Sequence, residues 1–235
     1  LGLRQIVIVE ISNLRSSKRA RTRDQLLVAA QSLLMTHTAA ALSIRQITDH
    51  AGVVHATFYN YYQDVAALVA DLGELLGTNH AATIAGLNQA FADPALRFAR
   101  VTRQTLRMVA EEPGFGRLIF DVGLPPDSLV SVLRLRLKLD LAEGMQDGRF
   151  SRSDLDLTTS MVSGAISGLA LDLHRGILSL TAIDPATTRL LEFLGIDPVV
   201  AAALGHEPIP FPLTPALPMR WLALPPIQPP AGSVP

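Results

Sequence analysis

The sequence predicts an all-α chain, with a small N-terminal head of three helices joined to a larger helical body. Three observations carry this. Residues 43–62, SIRQITDHAGVVHATFYNYY, read as two short helices around a Gly turn. Asp93-Pro94, Asp184-Pro185 and Asp197-Pro198 each combine an N-cap with Pro at the first helical position. Between these marks apolar residues recur at spacings of three and four, the period of a helix with one buried face.

Residues 1–17 are expected to form a frayed or disordered arm. LGLRQIVIVEISN has an acidic residue inside its apolar run and no small-residue site that would mark a signal peptide. The head is expected over 18–64. In its first helix, from Arg23, the residues Leu26, Ala29, Ala30, Leu33 and Leu34 make a single apolar stripe. Ser43 can cap the second helix with Gln46 completing a capping box, and Ile44, Ile47 and Ala51 share its buried face. Gly52 takes the turn and Val53 re-enters the core. Phe58 and Tyr62 then point inward, which leaves His55, Thr57, Tyr59 and Tyr61 outside.

The body is expected over 65–206. Asp64 caps a helix from Val65 towards His80, with Leu68, Leu72, Leu75 and Leu76 on one side. A helix from Arg97 closes at Glu112-Pro113, Leu124-Pro125-Pro126 interrupts, and another runs from near Ser128 to Asp147-Gly148. Within it, Leu133 to Leu141 alternates with period two, the pattern of a strand. Helix is still expected, because the segment has no β-branched or aromatic residue and Leu, Arg and Lys favour helix. Further helices are expected over 154–179, 186–194 and 199–204, with Gly195 and Gly205 as stops. Residues 207–235 hold ten of the 16 prolines, so an extended tail of polyproline II character is expected, laying Phe211 and Trp221 on the body surface.

Composition places the chain among globular proteins, at 49% hydrophobic and 17% charged residues in 235. The absence of cysteine excludes disulfides and thiolate metal sites and fits a reducing cytoplasm, the expected location. The most apolar long stretch, Leu157 to Leu171, has only 15 residues between two aspartates, too few for a bilayer core of about 30 Å, so no membrane partner is expected. The net charge of −1 hides an asymmetry. Residues 12–62 carry six basic against two acidic side chains, whereas 63–235 carry 13 against 18. Five of the six positives fall between Arg15 and Arg23. This is the footprint of a phosphate-binding head on an acidic body.

These residues together resemble the TetR family of bacterial transcription regulators. Arg23-Asp-Gln-Leu-Leu-Val-Ala-Ala-Gln-Ser-Leu-Leu is similar to its first helix, Ser43-Ile-Arg-Gln-Ile-Thr to its second, and Ala51-Gly-Val-Val-His-Ala-Thr-Phe-Tyr-Asn-Tyr-Tyr to its turn and recognition helix. Thr38, Ala56 and Val65 depart from the pattern, Val65 standing where a phosphate-binding Lys is usual. The resemblance implies a homodimer that binds a palindromic double-stranded DNA operator and is released by a small effector, with repression the expected mode. The DNA contacts it implies are Arg19, Arg21, Ser43, Arg45, Val54, His55, Thr57, Tyr59 and Tyr61. His55 and Thr57 are placed for base edges, and Ser43, Tyr59 and Tyr61 for phosphate. The last two long helices are implied to form a four-helix dimer interface. The small residues Gly164 and Gly168, with Leu171 and Leu190, are its candidate contacts.

The body offers Phe91, Phe98, Met108, Phe115, Phe120 and His174 as candidate contacts for a predominantly apolar effector. An Arg of the 97–107 helix is a further polar contact. The six histidines show no metal-ligand spacing, and no phosphate loop or nucleophile elbow is present, so neither a cofactor nor catalysis is expected. Two other readings stay open at this level. One is a DNA-binding adaptor that senses no ligand, and the other a helical enzyme or lipid carrier with a vestigial head. A body without a cavity would favour the adaptor.

Overall fold

The computed structural model describes residues 2–88, 92–208 and 216–221; for 2–17, 85–88 and 126–132 the backbone alone is described. Phe91 and Phe211 lie outside the described residues. Among those residues the protein is all-helical: α1 (Gly2–Leu34), α2 (Ile44–Ala51), α3 (His55–Phe58), α4 (Val65–Asn88), α5 (Pro94–Glu111), α6 (Pro113–Gly116), α7 (Pro126–Gln146), α8 (Leu155–His174), α9 (Ile183–Phe193) and α10 (Pro198–Gly205). The backbone of the expected arm continues α1 without a break. Its Leu-, Arg- and Ile-containing sequence has no Pro and only one Gly, at the helix start, so nothing local stops the helix.

The head forms as its pattern predicts. Leu26, Ala29, Ala30, Leu34, Ile47 and Phe58 are buried together, and Tyr62 closes the cluster. The capping box is complete: Gln46 N–H donates to Ser43 Oγ at 3.3 Å, and Ser43 N–H donates to Gln46 Oε1 at 2.9 Å. Gly52 has φ +67, a left-handed turn that an L side chain would strain. Asp71 of α4 accepts from both Arg23 and Tyr62, which ties α4 to the head.

In the body, α4 packs along α7, and α5 is central, lying against α4, α7, α8 and α9. The period-two segment is helical within α7, with Leu141 fully buried. Three boundaries differ from expectation, the first being that α4 runs on past His80 to Asn88. α8 ends at His174, because Gly176 at φ +70 turns the chain and Ile177 N–H returns to the Asp172 carbonyl. α9 starts at Ile183, so Asp184 lies inside its first turn, where it accepts from Arg103 Nε at 2.8 Å instead of capping.

Residues 216–221 do not lie on the body alone. They cross the seam between head and body. Gln31 of α1 holds Met219 through both backbone groups, at 2.8 and 2.7 Å, and Asn79 of α4 donates to the Arg220 carbonyl at 2.7 Å. Trp221 carries the Arg23 guanidinium 4.9 Å from its ring centre, and Arg220 pairs with Asp24.

Candidate nucleic-acid interface and ligand cavity

α3 is a single turn, extended by the hydrogen bonds of Tyr61 and Tyr62 N–H to the Phe58 carbonyl. Phe58 and Tyr62 anchor it from below, and the opposite surface presents Val54, 73% exposed, with exposed His55 and Tyr59. His55 and Tyr59 touch edge to face at 5.7 Å, so both project from the same side. Thr57 is half-buried, at the rim of that surface. Lys18, Arg19, Asn60 and Tyr61 line a shallow groove beside it, with the Arg19 guanidinium 5.9 Å from the Tyr61 ring centre. Asn60 was not among the expected contacts; its only sequence signal is its place between two aromatic residues. Arg21 and Arg45 are exposed, the latter loosely paired with Asp49 at 3.7 Å. Ser43 donates its hydroxyl proton to Gln46 Oε1 at 2.7 Å, which engages it in the cap.

The body encloses a cavity of about 470 Å³ between α4, α5, the segment after α6, α7 and α8. Phe98, Met108, Phe115 and Phe120 line it. His174 does not. Its ring packs on the Gly116 backbone and stacks with Phe120 at 5.9 Å, and its Nε2 is engaged by Asp121 at 2.9 Å, which makes it a joint between α8 and the segment after α6. Nor do the arginines of α5 reach the cavity: Arg97 pairs with Glu143 at 2.6 Å, Arg103 with Asp184, and Arg107 with Glu111. The polar groups of the wall come from elsewhere. His80 of α4, fully buried, shares a hydrogen bond with Thr105 at 2.8 Å, and burial pushes its pKa down to about 4, so it is neutral at physiological pH. Arg134, Arg136 and Asp140 come from α7.

The cavity is not separate from the head. Leu76, Met108, Phe115 and Leu124 line it and also belong to the core cluster that contains Leu34, Ile47 and Phe58. Arg117 Nε–H donates to the carbonyl of Leu34 at 2.9 Å, and Ala39 N–H to that of Val122 at 2.8 Å.

On the far side of the body, α8 exposes a stripe of Leu157, Met161, Gly164, Gly168 and Leu171. A Cβ added at Gly164 or Gly168 meets nothing within 4 Å. Leu190 is not part of this surface. It is 8% exposed, turned into the core with Leu141 and Phe150, because the outward face of α9 is carried by Arg189 and Phe193.

A helix-turn-helix head with a basic flank, sharing its core with a cavity-bearing helical body, defines a ligand-responsive transcription regulator. Residues 93–206 match the family described as the tetracyclin repressor-like, C-terminal domain. The chain is similar to the solved structure of RolR in complex with resorcinol, at 25% identity and a TM-score of 0.67, covering 83% of this chain and 98% of that one. The fatty acid degradation regulator FadR from Bacillus halodurans shares its fold at 19% identity and a TM-score of 0.62, covering 72% of this chain and 94% of that one. The regulator FadR from Bacillus subtilis, solved with stearoyl-CoA, does so at 19% identity and 0.57, covering 74% and 98%. No curated protein matches the chain by sequence. No helix among the described residues is long and apolar enough to cross a membrane.

Proposed function

We propose that the chain is a cytoplasmic homodimeric repressor that binds a palindromic operator through α3 and is released when a small, predominantly apolar effector fills the body cavity. The observation that carries this is the sharing of Leu76, Met108, Phe115 and Leu124 between the cavity wall and the head's core. A ligand that repacks these side chains acts on the seat of α1 and α2. Interiors are close-packed, so such a shift moves helices rather than being absorbed. Two heads carried on one dimer must match half-sites one helical turn apart, or a multiple of it. A small tilt is therefore enough to lose the match. Coupling is reciprocal: effector and operator weaken each other by the same factor.

His55 is placed to read base edges, with Val54 beside it against thymine methyls. Tyr59, Tyr61, Arg19, Arg21 and Arg45 serve the phosphates. The exposed α8 stripe supports pairing with a second copy, its two glycines letting the partner's helix approach closely. The cavity itself counts against the adaptor that senses nothing, and the solved regulators bound to resorcinol and to stearoyl-CoA support sensing over catalysis. The test is selection of bound sequences from random duplex DNA by the full chain. Recovery of a palindrome with half-sites at helical spacing is expected; binding without sequence preference overturns operator recognition.

A further inference from the structure

Among the polar groups of a mostly apolar cavity, one carboxylate stands out. Asp140 of α7 lines the wall but accepts no hydrogen bond and forms no ion pair among the described residues. Phenylalanines, Leu137, Ile166 and the hydroxyls of Thr105 and Ser167 line the same cavity. Burial holds its pKa above the usual carboxylate range, although Arg136 and Arg97 oppose this, and Glu143 adds to it. A half-buried carboxylate that accepts no hydrogen bond costs stability, and such a cost is characteristic of a site awaiting a ligand. Arg136, one helical turn earlier, lines the same cavity and is exposed on its solvent side.

We infer that Asp140 and Arg136 are the polar anchor of this cavity and that they select a compact aromatic molecule bearing a hydroxyl group. The inference rests on the effector reading given above. A hydroxyl is both donor and acceptor, so one O–H can give its proton to Asp140 while its oxygen accepts from Arg136. A carboxylate ligand meets the Asp140 charge, and an amine meets Arg136 and Arg134; each satisfies one side and is repelled by the other. The neutral imidazole of His80 adds no charge to attract either. The rings of Phe98, Phe115 and Phe120 supply edges and faces for an aromatic body.

The test is calorimetric titration of the full chain with one ring system in four forms: 2-naphthol, naphthalene, 2-naphthoate and 2-naphthylmethylamine. The naphthol is expected to bind at least about tenfold tighter than the other three, the yield of one hydrogen bond to a charged group. Asp140→Ala should abolish that preference while leaving naphthalene binding unchanged and the melting temperature of the free protein equal or higher, which a merely structural carboxylate would not do. Arg136→Gln should weaken the naphthol selectively. Preference of the parent for naphthoate or the amine, equal binding of naphthol and naphthalene, or a naphthol preference that survives in Asp140→Ala overturns the anchor and leaves the effector cavity standing. A parent that binds none of the four overturns the effector reading together with the anchor.

Discussion

Arg117 donates its Nε–H to the carbonyl of Leu34, bolting the segment that walls the cavity to the C-terminal end of the head's first helix. The Leu34 carbonyl is one of the orphan acceptors at that end, so this bond also caps α1. Replacing Arg117 by Ala should leave the head able to bind operator but reduce the effect of a cavity ligand on operator affinity at least about fivefold, within the usual range of allosteric coupling. Anisotropy titrations with and without ligand read it, and coupling equal to that of the parent would show that the Arg117 bond transmits nothing.

On the DNA surface, His55→Ala should relax sequence preference with little loss of non-specific affinity, because His55 stands clear of the head core on the exposed face of α3. Tyr59→Phe should instead weaken operator and random duplex alike. Arg19→Ala with Arg21→Ala should flatten the dependence of log affinity on log salt by about one to two units. Unchanged specificity in His55→Ala, read by repeating the selection, would remove it from base readout.

For assembly, Gly168→Leu meets open space within its own subunit, so the monomer should fold with an unchanged melting transition at low concentration. Across a close helix contact the same side chain should overpack and split the dimer, at about 1–3 kcal/mol per copy. Sedimentation should show the parent dimeric and the variant monomeric. A variant as dimeric as the parent places the interface elsewhere.

His80 makes stability depend on pH. Its pKa falls to about 4 in the folded chain from 6.5, so below pH 6.5 the unfolded chain binds the proton that the folded one refuses. Stability is therefore full above pH 6.5 and is lost as pH falls towards about 4, by about 3 kcal/mol in total. Urea midpoints between pH 4 and 7 should slope less steeply for His80→Gln. Parallel slopes would contradict the burial argument.

The strap at 216–221 predicts a stability loss far from either site. Gln31→Ala leaves the Met219 N–H and carbonyl without partners in a buried place, at a cost of about 1–3 kcal/mol. Cutting the chain after Glu207 should cost at least as much, whereas Arg45→Ala should cost little, because both of its charged groups are exposed. Equal melting temperatures for parent and Gln31→Ala would mean that the strap holds nothing.

The head was legible because its signals are local: a capping box, a left-handed Gly and an apolar stripe each act within a few residues. The helices of the body were legible for the same reason, down to the period-two segment, where propensity outweighed alternation. What depends on neighbours was not. Leu190 reads like any outward leucine until α9 is seen packed against α5 and α10, and His174 reads as a ligand contact until Asp121 takes its ring nitrogen. Asp184-Pro185 resembles its two sister motifs, but Arg103 draws the aspartate into an ion pair and the helix starts earlier. Asp140 and Arg136 were hidden in an alternation that looks like a solvated face. Their spacing of four, which places them on one side of a helix once strand is rejected, was the available signal.

The central claim is that filling the cavity and holding the operator oppose one another. It is tested most directly by measuring the affinity of the full chain for its selected operator by fluorescence anisotropy, with the cavity empty and with it saturated by a ligand whose binding calorimetry has established. The account predicts that saturation lowers operator affinity by about 5 to 150-fold, and that operator lowers ligand affinity by the same factor. A saturated cavity with operator affinity unchanged would contradict it.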